Sequence, residues 1–427
     1  MKRILILMLA LCTLLLSACT TAVAPEGDDV PDTPEQSIAF GESVIIVYAQ
    51  ADGDYAKNAA LLLRESLRPV LGYRPETVTD RAYRGDGSER FFYIGNVTLL
   101  EELPALGARE FALELLENGA ILQAQSSMGL YMAARTIAEL WPTEEYGLKN
   151  DELFLSTSIC RNLNTIDIGY SGMISVMSQN IRCANDGNGN DIADRKVRFK
   201  KLMEEYQPDL LGTQEATSVW MDIFEDYFGD EYGIVGCSRD GKTATSGEWS
   251  AILYKKSRFE LVDSGTFWLT DTPNKVSMTE GALCRRICTW AILTDKNTGE
   301  DVFFANTHLD HSNDTVRGAQ AEILMEFLAD YAAQYPMFLT GDFNTTSGKA
   351  PYNTVTDVLA DAHKDAELDT STVKGTFHSY GSKTPNEIDF CFYNDEFSEA
   401  IAYRVLSETY GGFVSDHYGL ITYFTSK

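Results

Sequence analysis

Eight residues in the C-terminal part of the chain are of types that do chemistry, and all belong to short apolar runs. Asn180 closes Ile174-Ser-Val-Met-Ser-Gln-Asn, Glu215 closes Pro208-Asp-Leu-Leu-Gly-Thr-Gln-Glu, and His308 closes Val302-Phe-Phe-Ala-Asn-Thr-His. Asp342 and Asn344 end Met337-Phe-Leu-Thr-Gly-Asp-Phe-Asn. Asp389 lies in Asn386-Glu-Ile-Asp-Phe-Cys-Phe, and Asp416 precedes His417 at the start of a further run. Carboxylate and amide oxygens suit a hard cation. An imidazole beside a carboxylate moves protons near neutral pH. Taken singly, each residue also has a plain structural reading. A buried Asp or His can satisfy a backbone group, and Gly-Asp-Phe-Asn can be a turn.

The elements that position them are strands and intervening helices. A helix is expected near Arg195, with Phe199, Leu202, Met203 and Tyr206 on one face. A second is expected over Val316 to Tyr331, with Ile323, Phe327 and Leu328 inward. Buried strands present their ends to loops, where sites form. In this order the six segments resemble the endonuclease/exonuclease/phosphatase superfamily over residues 174–424. The resemblance implies an α/β (α+β) fold: a four-layer α/β sandwich of two mixed β-sheets flanked by helices. It also implies roles. His417 takes a proton from the attacking water and Asp389 orients it. Asp342 and Asn344 hold the nucleophile and a phosphate oxygen, and His308 hydrogen-bonds the phosphate or protonates the leaving oxygen. Glu215 is the principal Mg²⁺ ligand, with Mn²⁺ as the alternative ion; Asn180 is a metal-site oxygen donor beside it, and Asp416 is a further ligand or orienter. His308, where apurinic endonucleases carry Tyr, matches the deoxyribonuclease, sphingomyelinase and phosphatase branches.

Asn306-Thr-His-Leu-Asp-His311 resembles a bacterial secreted subgroup, as do the segments beginning at Trp249, Ser264, Arg286 and Gly375. Arg286 is a candidate clamp for a substrate phosphate, since Arg binds phosphate bidentately; the alternative is a strand-edge surface Arg. His311 and His378 line a pocket or serve as structural hydrogen-bonders. Trp249 and Trp268 form a stacking wall or belong to the aromatic core. Arg317 reads as solvated, and His363 carries no assignment.

Residues 41–150 alternate strand-like and helix-like runs and contain no His. They read as a small α/β accessory domain. Ala120-Ile-Leu-Gln-Ala124 with Ser127-Met-Gly-Leu-Tyr131 resembles the small α/β domain preceding the barrel of β-N-acetylhexosaminidases, which implies accessory packing and a glycan-linked setting. A generic α/β module fits equally. Residues 151–172 read as a connection, with one strand at Leu153–Ser156, and 173–427 as the catalytic domain.

Lys2 and Arg3 precede the apolar run Ile4 to Leu16, too short for a spanning helix. Leu16-Ser-Ala-Cys19 resembles the bacterial lipobox. Residues 1–18 are thus expected to be a lipoprotein signal peptide and Cys19 the lipidated mature N-terminus. Residues 19–40 read as an acidic, Pro-rich tether. The expected location is extracytoplasmic, with the lipid as the only membrane contact. The other mature cysteines (160, 183, 237, 284, 288, 391) show no disulfide framework and read as small buried residues.

The chain has 427 residues, with 35 Lys+Arg against 63 Asp+Glu, a net charge of −28. That field opposes gripping a polyanion along a surface. It is compatible with one phosphate drawn to one bound cation. The reading is therefore a Mg-dependent phosphoesterase, a phosphodiesterase or phosphatase, acting as a monomer on a small, inositol- or glycan-linked phosphate ester. The alternatives are an extracellular nuclease, nucleic acid being a less favoured partner, and a non-catalytic surface glycan-binding lipoprotein.

Overall fold

The computed structural model describes residues 36–40, 44–85, 89–97, 111–124, 127–140, 148–149, 152–156, 159–160, 163–164 and 173–427. The leader, Cys19 and the tether through residue 35 lie outside the described residues. Among those described, no helix is long and apolar enough to cross a membrane.

Ahead of residue 173 the chain forms β1 (Ser37–Phe40), β2 (Val44–Tyr48), α1 (Gly53–Leu71), β3 (Glu76–Thr79), β4 (Arg90–Ile94), β5 (Phe111–Leu116), β6 (Gly119–Ala124), α2 (Ser127–Leu140), β7 (Leu148–Lys149) and β8 (Glu152–Ser156). A five-stranded sheet runs β3-β2-β4-β6-β5, parallel except for the β5–β6 hairpin. Helix α1 buries Ala56, Ala59, Ala60, Leu63 and Leu67, a helical stripe. That stripe and α2 cover the face bearing Val44, Ile46, Phe92 and Leu122. One sequence boundary needs correction: Ser37–Phe40, placed in the tether, is a strand paired with β8, the strand expected at Leu153–Ser156 within the connection. Ile38 and Phe40 point into the core while Ser37 and Ala39 face solvent, so a period of two overrides the polar composition upstream.

The remaining chain forms β9 (Ile174–Asn180), α3 (Ile192–Tyr206), β10 (Leu210–Gln214), α4 (Ser218–Phe228), β11 (Tyr232–Val235), β12 (Ile252–Lys255), β13 (Phe259–Trp268), β14 (Ile287–Asp295), β15 (Asp301–His308), α5 (Asp314–Ala332), β16 (Met337–Asp342), α6 (Ala350–Thr356), β17 (Ala360–Asp361), α7 (Ala362–Asp365), β18 (Leu368–Asp369), β19 (Asp389–Tyr393), β20 (Ser398–Leu406) and β21 (Gly419–Ser426). Two mixed sheets result, ordered β11-β12-β10-β9-β21-β20-β18 and β13-β14-β15-β16-β19-β17.

Alternation along the strands stacks them as a four-layer sandwich. Val176, Leu210, Ile252 and Leu420 of the first sheet meet Ala291, Leu293, Phe304 and Phe338 of the second. Their chain neighbours Met177, Leu211, Leu253 and Ile421 point the other way, onto Phe199, Trp220 and Phe224 of α3 and α4. On the far side, Phe303, Ala305, Leu339 and Phe392 pack on Leu324 and Leu328 of α5. The accessory unit shares a core with this sandwich: Met128, Tyr131 and Met132 of α2 cluster with Leu368, Ile401 and Ala402. Arg135 of α2 adds ion pairs to Glu367 and Glu399, at 2.8 and 3.4 Å.

Toward the site the inter-sheet layer turns polar. Asn306 is fully buried; its Nδ2 donates to the carbonyls of Thr213 (2.8 Å) and Ala251 (3.0 Å), and its Oδ1 accepts from Gln214 and Thr340. A Cβ on Gly212 would stand 2.1 Å from Thr340 Oγ1 and 2.6 Å from Asn306 Oδ1. Only glycine lets the two sheets close to this spacing.

Candidate active site

Strand register gathers the chemistry-bearing residues. The parallel β9–β10 pair sets Asn180 beside Gln214, so Glu215 emerges next to it. The parallel β15–β16 pair sets His308 beside Asp342, and antiparallel β19 sets Asp389 on Asp342's other side. Strand β21 runs antiparallel to β9, bringing Asp416 and His417 to the same edge. Glu215 (φ +60°), Asn344 (+49°), Arg182 (+61°) and Ser379 (+49°) adopt left-handed backbone conformations and all line one cavity. Such conformations concentrate where surrounding structure enforces a site.

His417 and Asp389 form a buried pair. His417 Nδ1 lies 2.8 Å from Asp389 Oδ2, which also accepts the Thr376 hydroxyl. Burial works against a charged His417. Asp389, by charge and hydrogen bond, and then Asp342 and Asp416 overcome it and push the pKa up to about 10. Its Nε2 lies 3.8 Å from Asp342 Oδ2. Burial, and then the charge of Asp389, raise Asp342. One oxygen of each of Asp342 and Asp389 and a His417 nitrogen lie within 4.8 Å of one another.

Glu215 and Asp416 stand on the neighbouring wall. Burial acts to raise Glu215, but hydrogen bonds from the Cys183 backbone N–H (3.0 Å), the Cys183 thiol and the Asn180 amide hold it below its ordinary value. Asn180 Nδ2 reaches both Glu215 Oε1 (3.2 Å) and Asp342 Oδ2 (3.0 Å), and its Oδ1 accepts the Arg182 N–H. Burial raises Asp416. The Arg182 guanidinium lies 3.7 Å from Glu215 and 3.8 Å from Asp416, held bidentately by Asp186 at 3.0 and 3.1 Å.

His308 is neutral. Burial, then the guanidiniums of Arg286 and Arg239, hold its pKa well below the ordinary imidazole value. Asn344 Nδ2 donates to Leu309 O and to His308 Nε2, both at 3.0 Å. That assigns the ring proton to Nδ1, a buried atom with no hydrogen-bond partner.

Glu215, Asp342, Asp416, His417, His308 and Asn344 line one cavity of about 430 Å³, while Asn180 and Asp389 support it through their hydrogen bonds to Glu215 and His417. Arg286 and His311 line it as well, with Arg286 Nη2 3.2 Å from His311 Nδ1. Three sequence candidates stand elsewhere. His378 is buried, stacks on Tyr418 at 3.8 Å and accepts the Gly381 N–H; burial lowers its pKa to about 4. Trp249 packs with the α3–α4 core and Trp268 is buried, so neither forms a stacking wall. Aromatic bulk in a sandwich has more apolar surface to cover than a polar cavity offers. Arg317 pairs with Asp314 and donates to Asp310 O at 3.0 Å, and His363 bridges Glu387 and Asp369. The described cysteines are all free: 160, 288 and 391 are buried, 183, 237 and 284 partly so.

Sequence reasoning missed several residues that shape the site. Arg195 is fully buried and donates to the carbonyls of Ile181, Arg182 (3.0 Å), Ala184 (2.6 Å) and Asn190 (2.7 Å). It thereby shapes the loop that carries Arg182. Arg239 and Glu248 line the cavity 2.8 Å apart. The signal for Arg195 was an arginine among the apolar positions of the α3 stripe. Glu248 had none beyond its place before Trp249.

The pattern of the Endonuclease/Exonuclease/phosphatase family matches residues 177–417, more than half of the chain. An endonuclease/exonuclease/phosphatase from Bacteroides vulgatus is similar in structure (TM-score 0.57, 29% identity), covering 60% of this chain and 99% of that one. A mannosyl-6-phosphatase from Bacteroides thetaiotaomicron is similar at TM-score 0.55 and 27% identity, covering 59% and 99%. A functionally unknown conserved protein from Enterococcus faecalis gives TM-score 0.55 and 26% identity, covering 60% and 100%. No curated protein matches.

Proposed function

The chain belongs to the endonuclease/exonuclease/phosphatase family, and from that premise we propose that it is a Mg²⁺-dependent phosphoesterase acting on a small or glycan-linked phosphate ester. Members of the family are phosphoric-ester hydrolases that depend on divalent metals. The observation that carries the reading is one cavity lined both by His417, which Asp389 holds at 2.8 Å, and by the acids Glu215, Asp342 and Asp416.

The donor set fits a hard cation. Glu215 and Asp342 both accept from the Asn180 amide, and Asp416 lines the same cavity, 3.8 Å from the Arg182 guanidinium. Convergent carboxylate oxygens of this kind suit Mg²⁺ or Mn²⁺. Glu215 and Asp416 would hold it, with Asn180 orienting Glu215. When bound, such a cation polarises a phosphoryl oxygen and offsets the acids that keep His417 protonated.

The chain's own groups supply the rest. Asp389 fixes the His417 ring through Nδ1, leaving Nε2 toward the cavity to take a proton from water. Asp342, tied at Oδ1 by the Asn344 N–H (2.9 Å), faces that same nitrogen. His308, whose burial disfavours the charged ring, presents Nε2 as an acceptor beside Asn344 without adding charge. The similar mannosyl-6-phosphatase supports a phosphomonoester. The lipobox at Cys19 supports an extracytoplasmic, lipid-anchored location, with the catalytic domain acting as a monomer.

The test assays the full chain on p-nitrophenyl phosphate, bis-p-nitrophenyl phosphate, DNA, RNA, inositol phosphates and sphingomyelin, with Mg²⁺ or EDTA. Hydrolysis of a phosphate ester that EDTA abolishes is expected. Glu215→Gln should raise the Mg²⁺ concentration for half-maximal rate by about tenfold or more. Absence of metal-dependent hydrolysis throughout the panel would sink the reading.

A further inference from the structure

We infer that Arg239, Glu248 and Arg286 form a hydroxyl-reading wall of the cavity, which selects a phosphorylated polyol such as a sugar phosphate. The inference rests on the phosphoesterase reading above and deepens it.

Three segments apart from the catalytic strand tips build the wall. Arg239 Nη1 donates to Glu248 Oε2 at 2.8 Å. Arg286 Nη1 stands 4.0 Å from the same oxygen, and Arg286 Nη2 reaches His311 at 3.2 Å. The fully buried Asp310 anchors this arrangement from behind. It accepts the backbone N–H groups of Leu283 (3.2 Å), Cys284 (3.0 Å) and Ser312 (2.9 Å), and lies 3.7 Å from Arg286 Nε. The Trp268 indole fixes the Arg239 carbonyl at 2.7 Å. Arg286 is only 4% exposed, and its Nε has no hydrogen-bond partner.

The order guanidinium, carboxylate, guanidinium, imidazole alternates donors and acceptors along one surface. A hydroxyl is both donor and acceptor, so neighbouring hydroxyls on a ring match that alternation. The rest of the lining argues against other bodies. Phe377 is its one aromatic residue apart from the histidines and Ile388 its one aliphatic. Bases bound without their hydrogen-bonding edges need stacking faces, and acyl chains need apolar area. A phosphate held toward Glu215 and Asp342 leaves the polyol to lie along Arg239, Glu248 and Arg286, which line the same cavity.

The test compares kcat/KM of the full chain with Mg²⁺ on hexose 6-phosphates and on p-nitrophenyl phosphate, a monoester without neighbouring hydroxyls. Wild type, Glu248→Gln and Arg239→Gln are compared, and thermal midpoints report folding. The selectivity for hexose 6-phosphate over p-nitrophenyl phosphate should fall about tenfold or more in each variant, the scale of a lost hydrogen bond to a charged group. Where either variant does not fold, Glu248→Asp and Arg239→Lys decide by the same ratio. A ratio unchanged within twofold in folded variants overturns the inference. Wild-type hydrolysis of p-nitrophenyl phosphate but of no hexose phosphate also overturns it, while sparing the phosphoesterase reading. No hydrolysis of any phosphate ester removes that reading, and the inference with it.

Discussion

Asp389→Asn isolates the part of the site that places a proton. The carboxylate lies 2.8 Å from His417 Nδ1, with both residues buried. At an effective dielectric of about 20, the attraction at that distance is roughly 6 kcal/mol before desolvation. Removing it should pull His417 down from its raised pKa, because the largest charge opposing burial is then lost and Asp342 and Asp416 lead those that remain. A neutral ring alone would favour a base, but the tautomer works the other way. Asp389 Oδ1 has no hydrogen-bond partner, whereas Oδ2 faces both His417 and the Thr376 hydroxyl. Asparagine therefore fits with its oxygen at the Oδ1 position and its NH₂ toward Nδ1. Nδ1 must then accept, which moves the ring proton to Nε2, the nitrogen facing Asp342 and the cavity. The expected loss is about 10²–10⁴-fold in kcat, the range of general acid–base catalysis. Alkaline pH should not restore it, since a neutral imidazole N–H does not ionise there. The assay is kcat for p-nitrophenyl phosphate from pH 5 to 10 at saturating Mg²⁺, with near-ultraviolet circular dichroism as the folding control. A folded variant within threefold of wild type, or one recovering above pH 8, would refute both the tautomer argument and His417 as the base.

Two further expectations concern the frame around the site. Arg195→Met should cost about 4 kcal/mol in denaturant unfolding, because four loop carbonyls lose a charged donor; a loss under about 1 kcal/mol would mean the loop holds itself. At His363, the Glu387 hydrogen bond (2.6 Å) outweighs burial, and Asp369 adds to it, so the folded pKa lies above the unfolded one. That stabilisation is complete below the unfolded value of about 6.5 and is lost as pH rises through the folded value. The thermal midpoint of wild type should therefore exceed that of His363→Gln most clearly near pH 6 and approach it at alkaline pH. A gap that widens with pH would show the sign to be wrong.

Much of this molecule was legible in the order of its residues, because local periodicity and strand-tip chemistry are local properties. The runs ending at Asn180, Glu215, His308 and Asp342 read as strands from their apolar character alone, and the stripe Phe199-Leu202-Met203 marked a helix. The acids and histidines could be named because each stands where an apolar run stops. Ser37–Phe40 was harder, since its alternation is only four residues long and follows an acidic, Pro-rich stretch. Tertiary structure alone decided which candidates share a cavity. His311 and His378 looked alike in sequence; the first lines the cavity beside Arg286, and the second is spent on Tyr418 and Gly381. Trp249 read as either a stacking surface or core, because sequence shows its size but not its surroundings, and it packs with the core. Its neighbour Glu248 faces the cavity instead, since successive residues of an extended chain point opposite ways. Sequence supplied the donors, acceptors and acids. The register of two sheets, closed to the spacing that Gly212 allows, fixed which of them meet, because contacts between residues far apart in the chain follow from packing and leave no local pattern.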